Sequence, residues 1–287
     1  MQPLPRIPGY VLLKSLGGGP LTAVFAASEN ATDAPCAVKV LRTGLEDLDN
    51  VGDPTTAIKL FQREARAGLA VRHPHLVRFR HAHVTRAPYF LVMDLVPGES
   101  LQKRLRRDYR IDLASALWIA RQTAEAITAL HRAGFVHGDV KPDNIRLTNQ
   151  GTATLIDLGF AHRPGENRYL LDKGYVLGTV NYLAPELCDK KYEDGLASDL
   201  FSFGVTLYEM LSGSLPYAAG TVEQTFRRHC FDPPADIRRH VAGLPRALID
   251  LIEALLARRP EDRPRAGAVV RQLVELEIAT LQRRRTA

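Results

Sequence analysis

The chain has 287 residues, 45% of them hydrophobic and 24% charged, and a formal net charge of +6. This is ordinary for a globular protein, with enough material for one large domain or two modest lobes. The arginines are scattered apart from Arg283-Arg284-Arg285. That cluster reads as a solvated tail, and no nucleic-acid partner is expected. Cys36, Cys188 and Cys230 are odd in number and far apart. They suggest neither a disulfide framework nor a metal site and fit a reducing cytosol. The N-terminal MQPLPRIPGYVLLKSLGGG lacks a cationic flank followed by a long apolar run, so no signal peptide is expected. No apolar stretch reaches bilayer-spanning length. The expectation is a cytoplasmic protein without a membrane span.

Taken in chain order, the first hundred residues read mainly as strands. Tyr10–Leu13, Ala23–Ala26 and Cys36–Val40 are short apolar or β-branched runs separated by Gly, Pro and Asn/Asp signals. Residues 56–71 switch to helical spacing through Ile58, Phe61, Ala65 and Leu69, and this helix carries Glu64. Strands are expected to resume at Leu76–Phe79 and Phe90–Met93. After Pro97-Gly98 the texture becomes helical. Leu113, Ala116, Leu117, Ala120, Ala124, Ile127 and Leu130 form one stripe of a helix over 112–132, with Asp112 as its N-cap. Trp118 and the leucines beside it are read as core. Further helices are expected near 199–211, 245–257 and 266–282, the last bearing Val269, Val270, Leu273, Leu276 and Leu281. The spacing predicts a small strand-rich lobe over 1–97, a hinge at 94–97 and a larger helical lobe over 98–287.

The most informative stretch is His137-Gly138-Asp139-Val140-Lys141-Pro142-Asp143-Asn144-Ile145. It places a carboxylate, an ammonium and a carboxamide within six residues, the groups a phosphoryl-transfer site needs. Asp139 can orient a hydroxyl nucleophile and accept its proton, Lys141 can neutralise charge on a moving phosphoryl group, and Asn144 can help hold a divalent metal. Upstream, the glycine-rich Leu16–Val24 lies between two strands, where glycines let backbone N–H groups approach phosphates. Lys39, in the apolar setting Cys-Ala-Val-Lys-Val-Leu, needs a carboxylate partner if buried, and Glu64 is the natural one. Downstream lie Leu155-Ile156-Asp157-Leu158-Gly159, Gly178–Glu186, Ser198–Gly204 and Pro260–Pro264.

In this order and spacing the motifs resemble those of the eukaryotic-type protein kinase family, close to its bacterial serine/threonine branch, over about residues 7–276. The resemblance implies an α+β bilobal kinase fold, with a small antiparallel sheet lobe bearing one helix and a larger, mainly helical lobe. It implies ATP and Mg²⁺, or Mn²⁺ in its place, as cofactors, and serine and threonine hydroxyls of proteins as substrates. Lys39, paired with Glu64, would meet the α- and β-phosphates. Gly17, Gly18, Gly19, Val24, Ala37, Met93, Asp94, Val96 and Arg146 would complete the nucleotide site. Asp139 would be the base, with Lys141 beside it. Asn144 and Asp157 would hold the metal, and His137 would organise the loop backbone. Thr179 would contact Asp139 and Lys141, Glu186 would pair with Arg263, and Asp199 would cap the catalytic-loop backbone. A homodimer is compatible with the resemblance.

Several residues depart from the family pattern. The third loop glycine is replaced by Thr22, Pro20 removes one N–H donor, and Arg146 stands where an apolar adenine floor is usual. That arginine either lies against the ring or swings away from it. His73, His75, His81 and His83 cluster without nearby Cys or carboxylate ligands at metal-binding spacing, and read as a family turn. These departures leave two alternatives to a protein kinase. One is a pseudokinase scaffold that binds nucleotide weakly or not at all. The other is a small-molecule kinase of the aminoglycoside or choline type, whose loops often read His-Gly-Asp.

Gly138 replaces the arginine that would receive an activation-loop phosphate. Residues 158–178 contain no serine or threonine, only Tyr169 and Tyr175 as hydroxyl bearers. Receiver and usual donor are missing together. Phosphatase treatment is therefore expected to leave activity unchanged. Loss of activity that maps by mass spectrometry to a phosphate in this segment would refute the expectation.

Overall fold

The computed structural model describes residues 4–42, 54–188 and 195–286, with side chains to 282. The side chains of Arg283, Arg284 and Arg285 lie outside the described residues. The chain forms two compact units, one from residues 1–73 and 77–96 and the other from 74–76 and 97–287.

The first unit is a five-stranded antiparallel sheet. Its strands are β1 (Tyr10–Gly18), β2 (Thr22–Glu29), β3 (Pro35–Leu41), β4 (Phe79–His83) and β5 (Phe90–Asp94), in the order β1-β2-β3-β5-β4. Cys36 to Leu41 are all buried, so β3 is covered on both faces and is apolar throughout except at Lys39. Leu12, Phe25, Ala27, Val38, Phe90 and Val92 pack into its core. Helix α1 (Pro54–Ala70) buries Ala57, Phe61, Glu64, Ala65 and Gly68. Leu69, expected on the buried stripe, is exposed, and Gly68 packs instead against the Phe79 ring.

The strand expected at Leu76–Phe79 is corrected to one that begins at Phe79. His75 explains the difference. Its carbonyl accepts the Leu155 N–H at 2.8 Å, its ring Nδ1 lies 2.8 Å from the Ala153 carbonyl, and Leu76 makes a single parallel bridge to Leu155. Those bonds draw residues 74–76 into the second unit. His83 stacks on Phe90 and His81 tilts against it, as ordinary packing partners.

The second unit begins with a small sheet of β6 (Glu99–Ser100), β7 (Ile145–Leu147) and β8 (Ala153–Leu155). Its helices are α2 (Leu101–Asp108), α3 (Leu113–Arg132), α4 (Arg168–Asp172), α5 (Pro185–Cys188), α6 (Leu196–Ser212), α7 (Val222–Phe231), α8 (Arg246–Leu255) and α9 (Ala266–Thr286). Helix α6 is its axis, with Phe201, Phe203, Val205, Leu207 and Met210 fully buried. It ends at Gly213, whose φ of +74° closes the helix in the left-handed region. Asp112 caps α3 by accepting the Ser115 N–H at 3.2 Å. Four helices, α2, α4, α5 and α7, were not expected. Two of them have a local N-terminal signal, Ser100 for α2 and a Thr221–Gln224 capping box for α7.

Trp118 corrects another expectation, since it is 46% exposed. Its Nε1 donates to the Gly151 carbonyl at 3.0 Å and the Arg121 guanidinium sits over its ring. Leu117, Ala120, Ala124, Ile127 and Leu130 form the buried stripe without it. Leu281 is likewise exposed, whereas Val269, Leu273 and Leu276 are buried.

A Cβ at Gly68 would come within 2.4 Å of the Phe79 ring, which is itself buried in the sheet. Gly68→Ala is therefore expected to lower stability by about 1–3 kcal/mol despite the better helix propensity of alanine. Urea denaturation measures this.

Candidate functional site

The first unit presents the Lys39–Glu64 pair. Lys39 on β3 and Glu64 on α1 meet at 2.8 Å, with both side chains more than nine-tenths buried. A buried ammonium is tolerable only with such a partner. Ala37 and Met93 are buried register partners on β3 and β5. Asp94 ends β5, with its carboxylate 2.6 Å from Arg80. Gly17 and Val24 face each other across β1 and β2. Gly18 pairs with Ala23, and Gly19 donates to the Thr22 carbonyl at 3.0 Å. At Gly18 a Cβ would fall 2.3 Å from that carbonyl, so this hairpin needs glycine at position 18.

The second unit holds the catalytic-loop run. Asp199, on the first turn of α6 and 1% exposed, accepts the His137 N–H at 2.8 Å and the Gly138 N–H at 2.9 Å. His131 Nε2 is 2.9 Å from the same carboxylate. Burial works to raise the Asp199 pKa, but the bonds from His131 and His137 prevail and hold it below the usual carboxylate range. His137 uses its ring to organise backbone. Nδ1 accepts the Asp139 N–H at 3.2 Å, and Nε2 lies 3.2 Å from the Ile156 carbonyl.

Asp139 is 5% exposed. Its Oδ2 is held by Lys141 at 2.7 Å and by Asn144 Nδ2 at 3.0 Å, while Oδ1 is buried with no hydrogen-bond partner among the described residues. Asn144 Nδ2 also donates to the Asp139 carbonyl at 2.8 Å. The carboxamide oxygen takes no part in these bonds. Ile156 donates to the Asn144 carbonyl at 2.8 Å, which brings Asn144 beside Asp157 at the end of β7 and β8. Asp157 is exposed, with φ of +62°, and its Oδ1 accepts the Gly159 N–H at 3.2 Å. Asn144 and Asp157 carry hard oxygen donors of the kind that would suit Mg²⁺.

Lys141 Nζ also donates to Thr179 Oγ1 at 2.5 Å. Thr179 was expected to contact both Asp139 and Lys141. The structure shows the Lys141 half of that contact, and the same ammonium also pairs with Asp139. Below it, Glu186 and Arg263 form a bidentate pair at 2.6 and 2.7 Å, both side chains almost fully buried. Arg146 half-buries its guanidinium against the Gly98 carbonyl, and burial lowers its pKa.

Gly138 was expected to be unable to receive a phosphate. Its backbone adds a reason that sequence reasoning missed. With φ of +81°, a Cβ there would meet the Phe160 carbonyl at 2.7 Å. The segment after Asp157 is held by other means. Val136 and His162 exchange backbone hydrogen bonds at 2.8 and 3.2 Å, and Leu170 and Asn167 are buried.

With this arrangement in view, the matches to known proteins are informative. The chain matches the protein kinase domain family over residues 10–274 and belongs to that family. It is 33% identical over 263 residues to serine/threonine-protein kinase PknA of Mycobacterium tuberculosis, covering 90% of this chain and 58% of PknA. It is 33% identical over 278 residues to PkaB of Streptomyces coelicolor, covering 93% and 63%. It is 34% identical over 292 residues to PknK of Mycobacterium bovis, covering 98% and 25%. The chain thus spans less than two thirds of these curated relatives. Among the described residues, no helix is long and apolar enough to cross a membrane.

Arg263→Ala would leave Glu186 charged and buried, and is expected to cost about 3–5 kcal/mol. Chemical denaturation compared with Glu186→Gln measures it. A loss below 1 kcal/mol would show that water replaces the guanidinium.

Proposed function

We propose that this chain is the catalytic domain of an ATP- and Mg²⁺-dependent serine/threonine protein kinase, acting in the cytoplasm on protein hydroxyls. The observation that carries this reading is the state of Asp139. One carboxylate oxygen is fixed by Lys141 and Asn144, and the other is buried and unpartnered. An acceptor held in this way can take the hydrogen bond of an incoming hydroxyl and then its proton as the oxygen attacks phosphorus. Lys141 shares its charge between Asp139 and Thr179, and that cation would offset the negative charge gained by the transferring group. Lys39, kept charged and oriented by Glu64, would meet the nucleotide phosphates. Gly17, Gly18, Gly19, Val24, Ala37, Met93, Asp94, Val96 and Arg146 would complete nucleotide recognition. Asn144 and Asp157 would hold the metal, which when bound neutralises phosphate charge.

The names of PknA, PkaB and PknK support serine/threonine specificity, as does the Lys141–Thr179 bond. The Glu186–Arg263 pair supports a protein substrate over an aminoglycoside-type one, because small-molecule kinases generally lack that pair. The main-chain bonds between Val136 and His162 and the burial of Leu170 support activity without Ser/Thr phosphorylation at 158–178.

The test combines purified protein, Mg²⁺ and labelled ATP with a generic protein substrate and, separately, an aminoglycoside panel. Transfer to serine or threonine is expected. Asp139→Asn should reduce it by roughly 10²–10⁴-fold while nucleotide binding persists. Signal only on small molecules, or binding without transfer, would overturn the reading.

A further inference from the structure

Cys36 is sealed in the core of the first unit's sheet, whereas Cys188 and Cys230 both lie in the second unit, each half-buried. Cys188 is the last residue of α5, and Cys230 lies in the last turn of α7. Cys188 Sγ donates to the Ala184 carbonyl at 3.5 Å and Cys230 Sγ to the Pro185 carbonyl at 3.7 Å. These acceptors are consecutive, so both sulfurs sit over the same short helix, and α5 packs directly on α7. Nothing in the phosphotransfer reading uses either thiol.

We propose that Cys188 and Cys230 are an oxidative modification site, a dithiol that hydrogen peroxide converts to a disulfide joining α5 to α7. Burial pushes the Cys188 thiol well above the ordinary range, which makes it the poorer group for the first step. Cys230 sulfur attacks peroxide. The O–O bond breaks, giving Cys230 sulfenic acid and one water. Cys188 sulfur then attacks the Cys230 sulfur, the S–S bond forms, the S–O bond breaks, and the hydroxyl leaves with the Cys188 proton as a second water. Two thiols are oxidised by two electrons and one peroxide is reduced to two waters.

The bridge would reinforce a contact that already exists. His229, next to Cys230 on α7, is buried, with Nδ1 2.7 Å from the Leu183 carbonyl just before α5. A disulfide would add a covalent tie beside this hydrogen bond, within the helix that carries Glu186.

The experiment treats the intact chain with equimolar hydrogen peroxide, blocks residual thiols and maps disulfides by non-reducing mass spectrometry. A Cys188–Cys230 linked peptide should dominate. It should revert with dithiothreitol, persist in Cys36→Ser, and vanish in Cys188→Ser and in Cys230→Ser. In Cys188→Ser, dimedone should trap Cys230 as sulfenic acid. Sulfinic acid without a cross-link, preferential oxidation of Cys36, or disulfides only between chains would each overturn the proposal. Because the decisive mapping is made on the unmutated chain, a variant that folds poorly does not obscure the result.

Discussion

One buried carboxylate sets the backbone on which the candidate site is built. Asp199 takes the N–H groups of His137 and Gly138, and His131 steadies it from α3. The cost of burying that charge is offset by three hydrogen bonds that nothing else in the unit replaces. Because those N–H groups are fixed, His137 can turn its ring to the Asp139 N–H, and Asp139 can present one oxygen to its holders and keep the other open. The path runs from a core helix through the loop backbone to the unpartnered Asp139 oxygen. Each link is a hydrogen bond shorter than 3.3 Å.

Gly138 acquires two physical meanings in that setting. It has no side chain with which to receive a phosphate, and its N–H is already given to Asp199. As a residue with positive φ beside the Phe160 carbonyl, it occupies a backbone state that resists any Cβ. Its neighbours compensate locally. The segment that would otherwise be ordered by an arginine and a phosphate is tied through Val136, His162 and buried Leu170.

Much of this was legible because it depends on order and local pattern. The Asp112 cap, the α3 stripe, the buried setting of Lys39 and the composition of the His137–Ile145 run are properties of short windows, where periodicity and residue chemistry act directly. The failures share another cause. Leu69 and Trp118 fit the apolar pattern of their helices yet are exposed, because Gly68 and Leu117 occupy the packing positions beside them. The strand expected from Leu76 yields to bonds made with residues some eighty positions later. The helix α7 was passed over because its capping box precedes a largely polar face.

The amino-acid sequence by itself determined the chemistry available: an acid, a base partner, an amide and a second acid at fixed spacings, with no hydroxyl in residues 158–178 except on tyrosine. Tertiary structure decided which of those groups meet. It joined Thr179 and Asp139 to the same Lys141 ammonium, sent the Arg146 guanidinium to the Gly98 carbonyl, and brought Cys188 and Cys230 over the same short helix although they are remote in the chain. The physical reason is that a hydrogen bond or a thiol contact depends on distance in space, to within a few tenths of an ångström. Sequence spacing constrains that distance only within a helix, a strand or a tight turn.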